Sequence, residues 1–205
     1  KKIRITGAGK TDSGVHAKGQ SANFISPFLV NEKKFVSSLN HFLRKKNISI
    51  ISIKKKSLNF HSRHSAKKRT YKYLIINRNS PLALEKNRAW YLRKKLNINL
   101  MKKAAIILLG TKDFSTFRSS SCSAKSPVKT LDKIKIKHFK NKIEIFFTSQ
   151  SFLQQQVRSM VGCLKYIGEK KWTIGQFKKI INSKKRSKCA PPAPSHGLFL
   201  YKIKY

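Results

Sequence analysis

The chain has 205 residues, 40% of them hydrophobic, enough for one full core or two small packed subdomains. Lys and Arg number 47 against seven Asp and Glu, a formal charge of +40, and the natural counterpart of so cationic a surface is a polyanion, nucleic acid first, even if a Lys-, Ile- and Asn-rich coding bias inflates the patch. No run of about 18 apolar residues and no signal-like segment is present, so a soluble cytoplasmic protein without membrane attachment is expected; three cysteines far apart in sequence (Cys122, Cys163, Cys189) match neither a disulfide framework nor a zinc spacing, and no metal is expected.

Residues 2 to 6 alternate as Lys-Ile-Arg-Ile-Thr, a predicted strand that leads into Gly7-Ala-Gly-Lys-Thr-Asp-Ser-Gly-Val-His-Ala-Lys-Gly-Gln20. Glycines at 7, 9, 14 and 19 surround Asp12, the only acid before Glu32. A short glycine-rich loop can present a functional side chain, and the same stretch fits a turn in which Asp12 bonds its own backbone. Gly9-Lys10-Thr11 imitates the end of a P-loop, but that pattern requires glycine where this chain has Arg4 and should open directly into a helix. Nucleotide hydrolysis is therefore disfavoured.

Residues 19 to 25 alternate again as a strand, and Asn31 is placed to cap a helix with Phe35, Val36, Leu39, Phe42 and Leu43 on one face. Ile48 to Ile53 reads as a further strand. Arg69 to Ile76 is a strand that sets Tyr71, Tyr73 and Ile75 on one face, with basic residues interleaved. Such a tyrosine row serves more often as core than as a stacking platform, yet aromatic rings beside Arg also hold single-stranded RNA bases. Residues 77 to 97 read as irregular, Leu96 to Leu109 as a helix stopped by Gly110, and Ser119 to Pro127 as a small polar mobile loop. Residues 129 to 138 and 142 to 148 form a hairpin pattern across Lys140-Asn141.

A broad apolar stripe predicts a helix from Phe152 to Ile167, with Arg158 inside the run. Such an arginine needs a partner or must snorkel along its own stem. A helix from Thr173 to Asn182, a proline-rich loop from Ala190 to Pro194 and a strand from Gly197 to Ile203 complete the chain.

Five motifs, in order, resemble those of the tRNA pseudouridine synthase A family: Thr11-Asp12-x-Gly14-Val15-His16-Ala17; Phe60-His61-Ser62-Arg63-His64-Ser65-Ala66 followed by Arg69-x-Tyr71; Gly110-x-x-Asp113-Phe114-x-x-Phe117; Val157-Arg158-x-Met160-Val161-Gly162; and Ala193-Pro194-x-x-Gly197-Leu198-x-Leu200. The chain departs from the family pattern at Lys10, where Arg is usual, and at Ser62, where Ala is usual. Lys there offers a point charge in place of a bidentate fork.

The resemblance implies an α+β pseudouridine synthase fold of two similar halves, residues 1–85 and 86–205, with mostly antiparallel sheets packed by helices around a central cationic cleft. It implies isomerisation of uridine to pseudouridine in tRNA, without a cofactor, at roughly positions 38 to 40 of the anticodon stem-loop, by a homodimer reading shape. Asp12 takes the place of the nucleophile, Arg158 of the residue that pairs with it, and Tyr71 of the tyrosine against the target base. Tyr71, Lys10, Arg63 and His16 are the expected substrate contacts, with loop ordering the favoured role for His16. The carboxylate could stabilise charge at C1′, take a proton from the sugar, or form an adduct. Family members carry a further strand and helix ahead of the aspartate loop, so the resemblance also implies an N-terminally incomplete chain. The competing readings are a non-catalytic RNA-binding protein of ribosomal or chaperone type and an inactive truncated synthase.

Overall fold

The structure, a computed structural model, describes residues 2–205. Two compact units divide the chain, Lys1–Gly9 with Ser21–Ser65 and Lys10–Gln20 with Ala66–Tyr205.

In the first unit β1 (Thr6–Gly7) pairs antiparallel with β3 (Ala22–Asn23). The longer strands expected over 2–6 and 19–25 shrink to this ladder, because Ile5 and Ile25 are exposed and give it no apolar face to extend on. Ser62 braces the pair: its N–H donates to Asn23 Oδ1 at 2.9 Å and its hydroxyl to Thr6 O at 2.7 Å. The helix α1 (Glu32–Leu43) starts where the Asn31 side chain accepts from Lys34 N. Its apolar stripe has the expected spacing, but no residue of α1 is buried. The strand expected over Ile48 to Ile53 does not form. Asn40 occupies the Ile50 backbone instead, accepting from its N–H at 2.7 Å and donating to its carbonyl at 2.9 Å, so the segment runs without a partner strand.

The second unit is built on a seven-stranded sheet. Its path runs from β2 (His16–Ala17) through β9 (Leu198–Lys204), β4 (Lys68–Asn77), β8 (Lys142–Ser149) and β7 (Val128–Phe139) to β6 (Gly110–Asp113), with β5 (Trp90–Leu92) beside the far end of β4. All neighbours are antiparallel except β2 with β9 and β4 with β5. The hairpin β7–β8 turns at Lys140 and Asn141, with Lys140 at φ 49°. β5 lies in the stretch expected to be irregular. β4 is bonded along its length to β8 and β9, which holds residues 66–205 in one unit.

Three helices cover one face: α2 (Ile98–Ile107), α3 (Gln156–Gly168) and α4 (Ile174–Asn182). Asn97 caps α2, and Thr173 with Gln176 forms a reciprocal capping box on α4. Gln155 adopts a left-handed conformation, φ 61°, so α3 begins after Phe152 and Leu153, later than its apolar stripe suggests. Tyr73, Ile75, Ile145 and Phe147 from the sheet meet Met101, Leu108, Met160, Val161, Leu164 and Phe177 from the helices in one continuous core. Alternation along β4 sends Leu74 and Ile76 to the other face, where they join Ala89 and Phe199. The polar stretch 119–127, expected to be mobile, is pinned by Arg118, whose Nη2 donates to the carbonyls of Cys122 at 2.8 Å and Ala124 at 2.7 Å.

Candidate active site

The loop that carries Asp12 is held at its far end by β2. His16 and Ala17 pair with Phe199 and Leu200, and the N–H of Lys18 donates to Leu200 O at 2.8 Å. Between them the Asp12 carbonyl accepts from Val15 N at 3.1 Å, closing a turn with Gly14 at φ 77°. A Cβ on Gly14 would stand 2.7 Å from Ser195 Oγ, which would have to rotate away, while the positive dihedral itself favours glycine. The turn leaves the Asp12 side chain free to point away from its own backbone.

Arg158 projects from the first half of α3. Its Nη1 donates to Asp12 Oδ2 at 2.7 Å, and its Nε donates to Ala193 O at 2.7 Å. Both side chains of the ion pair are largely shielded, 16% exposed for Arg158 and 23% for Asp12, so the pair is screened far less than a surface bridge. Ala193 also donates its N–H to the Arg158 carbonyl at 3.0 Å. The proline-rich segment is thus a strap laid along α3. Gly162 makes the approach possible, since a Cβ there would lie 2.1 Å from Pro191 O. Tyr73 fixes the strap from the sheet side, its hydroxyl donating to Pro194 O at 2.7 Å.

Tyr71 sits on β4 between Phe147 of β8 and Leu200 of β9, where a bulge shifts the register between Thr70 and Tyr71. Its ring meets Phe152 edge-on with centroids 5.2 Å apart. Burial raises the Tyr71 phenol above its ordinary value of 10.0; the nearby Arg69 lowers it and the charge of Asp12 raises it. At neutral pH Tyr71 therefore keeps its proton, and it lies within the electrostatic reach of Asp12.

Lys10 is exposed two residues before Asp12. His16 stacks on Phe199 with centroids 4.9 Å apart, and its Nε2 donates to the Asn87 carbonyl at 2.8 Å, so the ring is engaged in ordering its own loop. Arg63 is exposed and belongs to the first unit, where its N–H donates to His61 Nδ1 at 3.2 Å. The structure thus brings together Asp12, Arg158 and Tyr71. What sequence reading missed is the strap: Ala193, Pro194 and Tyr73 hold Arg158 from behind, and the only trace of this was that a small residue, Gly162, follows Arg158 by one turn beside a run of prolines.

Among the described residues no group of three or more His, Cys, Asp or Glu is arranged to hold a metal ion. No helix among them is long and apolar enough to cross a membrane.

A model of the tRNA pseudouridine synthase family matches residues 104–205. The chain is 58% identical over 205 residues to tRNA pseudouridine synthase A of Pelagibacter ubique (strain HTCC1062), covering 100% of this chain and 83% of that relative. It is 41% identical over 203 residues to the protein of the same name from Parvibaculum lavamentivorans, covering 99% and 82%, and 42% identical over 205 residues to that from Sinorhizobium medicae, covering 99% and 83%. Identity at this level over nearly every residue, on an α+β sheet that presents a shielded Asp–Arg pair beside a tyrosine, leaves one class of protein. The chain belongs to the tRNA pseudouridine synthase A family and has the α+β pseudouridine synthase fold.

Proposed function

We propose that this protein isomerises uridine to pseudouridine in tRNA, with Asp12 as the nucleophile. The observation that carries the residue assignment is the shielded 2.7 Å contact between Asp12 Oδ2 and Arg158 Nη1 in the electrostatic reach of Tyr71. A protein that only bound RNA would use its arginines on phosphates and would have no need to shield one against a carboxylate.

The reaction is an isomerisation, so every atom of the nucleoside is retained. The bond from ribose C1′ to uracil N1 breaks, the base turns, and C5 bonds to C1′; the proton on C5 departs and N1 ends with one. Electron deficiency at C1′ is the feature to stabilise, and Asp12 offers its carboxylate to that carbon. Arg158, itself fixed by Ala193, sets the direction of the carboxylate so that little reorganisation is needed when charge develops. Tyr71 supplies a ring face for uracil and a protonated hydroxyl that can hydrogen-bond to a base carbonyl.

The substrate sites are uridines of the anticodon stem-loop, roughly positions 38 to 40, recognised through helix shape and phosphates. Lys10, Arg63 and the excess of positive charge serve phosphate contact; His16 contributes by ordering the loop. The enzyme works in the cytoplasm as a homodimer. Incubating the protein with unmodified tRNA and mapping pseudouridine tests the reading. Product at the anticodon stem-loop, lost in Asp12→Asn, is the expected result; tRNA binding without any pseudouridine overturns it.

A further inference from the structure

Cys163 and Cys189 are 26 positions apart in sequence, yet their sulfurs touch at 3.5 Å. Cys163 is fully buried on α3, five residues after Arg158, and Cys189 is half-buried at the start of the strap. Both are free thiols. Arg186 lies beside them, with its guanidinium within hydrogen-bonding reach of the Cys189 sulfur. The hydrogen bond from Cys163 brings the Cys189 thiol below its ordinary value against the effect of burial, with Arg186 adding to the lowering. The bond made to Cys189, together with burial, drives the Cys163 thiol up. The pair thus has one half-buried sulfur beside a guanidinium and one buried sulfur in contact with it, the arrangement of an attacking and a resolving cysteine.

We propose that Cys163 and Cys189 form a peroxide-oxidisable dithiol, a modification site separate from the Asp12 chemistry, whose oxidised form is an intramolecular disulfide tying the strap to α3. Cys189 as thiolate attacks one oxygen of hydrogen peroxide, breaking the O–O bond to give a sulfenic acid and hydroxide. The Cys163 sulfur then attacks the Cys189 sulfur and the S–O bond breaks. The oxygen leaves as water, taking up the proton lost by Cys163, while the Cys189 proton neutralises the hydroxide. In sum two thiols and one peroxide give one disulfide and two waters, two electrons passing from the sulfurs to the peroxide. The Arg186 guanidinium, already in contact with Cys189, is positioned for the negative charge carried by sulfur before and during the first step.

The disulfide would bind the strap covalently four residues ahead of Ala193, which holds Arg158 through two hydrogen bonds. The bonds that fix Arg158 would then open less often.

The test uses the full chain with Cys122→Ser, which removes the third thiol and leaves the pair. After treatment with a few equivalents of hydrogen peroxide, the protein is denatured, alkylated and measured by intact and peptide mass spectrometry. The expected product has lost two hydrogens, takes up no alkylating agent, yields a linked pair of peptides containing residues 163 and 189, and reverts with dithiothreitol. Amide hydrogen exchange of Ala190, Ala193 and Ser195, the residues of the segment that carry an N–H, should slow several-fold on oxidation and recover on reduction. Cys189→Ser should give neither the linked peptide nor the change in exchange. Full alkylation of both cysteines after peroxide, or sulfinic acid at Cys189 with no linked peptide, overturns the proposal. Because the readouts are mass and exchange, the outcome is independent of whether the chain modifies tRNA.

Discussion

Arg158 reaches Asp12 across 146 positions of sequence, and the 2.7 Å contact between Nη1 and Oδ2 is one of two bonds that fix the guanidinium; the other runs from Nε to the Ala193 carbonyl. Each bond constrains the other. With the strap absent, Arg158 would keep only one anchor and the carboxylate would lose its fixed bearing.

Asp12→Asn keeps the side-chain volume and removes the charge. Pseudouridine formation should fall below detection while tRNA affinity stays within a few-fold, as measured by release of the C5 hydrogen isotope from labelled tRNA and by gel shift. Wild-type turnover in this variant would sink the assignment of Asp12.

Arg158→Met should cost as much activity as loss of the aspartate, because it leaves the carboxylate without the guanidinium that sets its direction. Arg158→Lys should rescue poorly, since one ammonium cannot span Asp12 and Ala193 as the fork does. Single-turnover rates at saturating tRNA decide the matter: a defect in affinity alone, with a normal rate at saturation, contradicts a positioning role.

Tyr71→Phe preserves the ring and removes the hydroxyl, whereas Tyr71→Leu removes both. If the ring supports the base, Phe retains most single-turnover activity and Leu loses it. Equal activity in wild type and both variants would reduce Tyr71 to a packing residue.

Gly162→Ala inserts a methyl 2.1 Å from the Pro191 carbonyl, so α3 and the strap must separate. Overpacking of this kind costs about 1–3 kcal/mol, and activity should fall with it because Arg158 is attached to the displaced strap. Denaturant melts and turnover should therefore change together. Tyr73→Phe, which deletes the bond to Pro194, should show the same coupling at about 1 kcal/mol.

Stability should decline on both sides of neutrality. Burial raises Tyr73 above its ordinary 10.0, so above that pH the unfolded chain releases a proton that the folded chain retains, and stability falls. Asp113 is lowered from 3.8, first by the hydroxyl hydrogen bond from Ser115, then by its N–H and by Lys184. Below that value the unfolded chain takes up a proton first, and the contribution of Asp113 is lost as pH falls through its folded value. Thermal melts from pH 3 to 11 should show a plateau between these limits; continued gain in stability above pH 10 would contradict the burial of the tyrosines.

Local signals were legible where local chemistry fixes the backbone. Asn31 marks a helix start through a side chain that bonds the N–H three residues on, and Lys140-Asn141 marks a hairpin between two alternating runs, whereas the cap at Asn97, inside the helix expected from Leu96, came only with the structure. The first unit was read less well, because apolar spacing shows which residues share a face and not what covers it: α1 has its stripe with no buried residue, and Ile48 to Ile53 has alternation with no partner strand. The neighbours of β4 were hidden for the same reason, since the strands that flank it come from residues more than a hundred positions away in β9 and some seventy away in β8.

The sequence by itself determined the charge, the glycine-rich stretch and the motifs, and through the resemblance those motifs carry it singled out Asp12, Tyr71 and Arg158 as candidates. Only the tertiary structure decided that His16 spends its ring on Asn87 and Phe199, that Cys163 touches Cys189, and that Arg158 is held between Asp12 and a strap anchored by Tyr73. Each of these is a contact between elements distant in the chain. Their geometry is set by how the core packs α3 against β4 and β9, and no local pattern of residues encodes a distance of that kind.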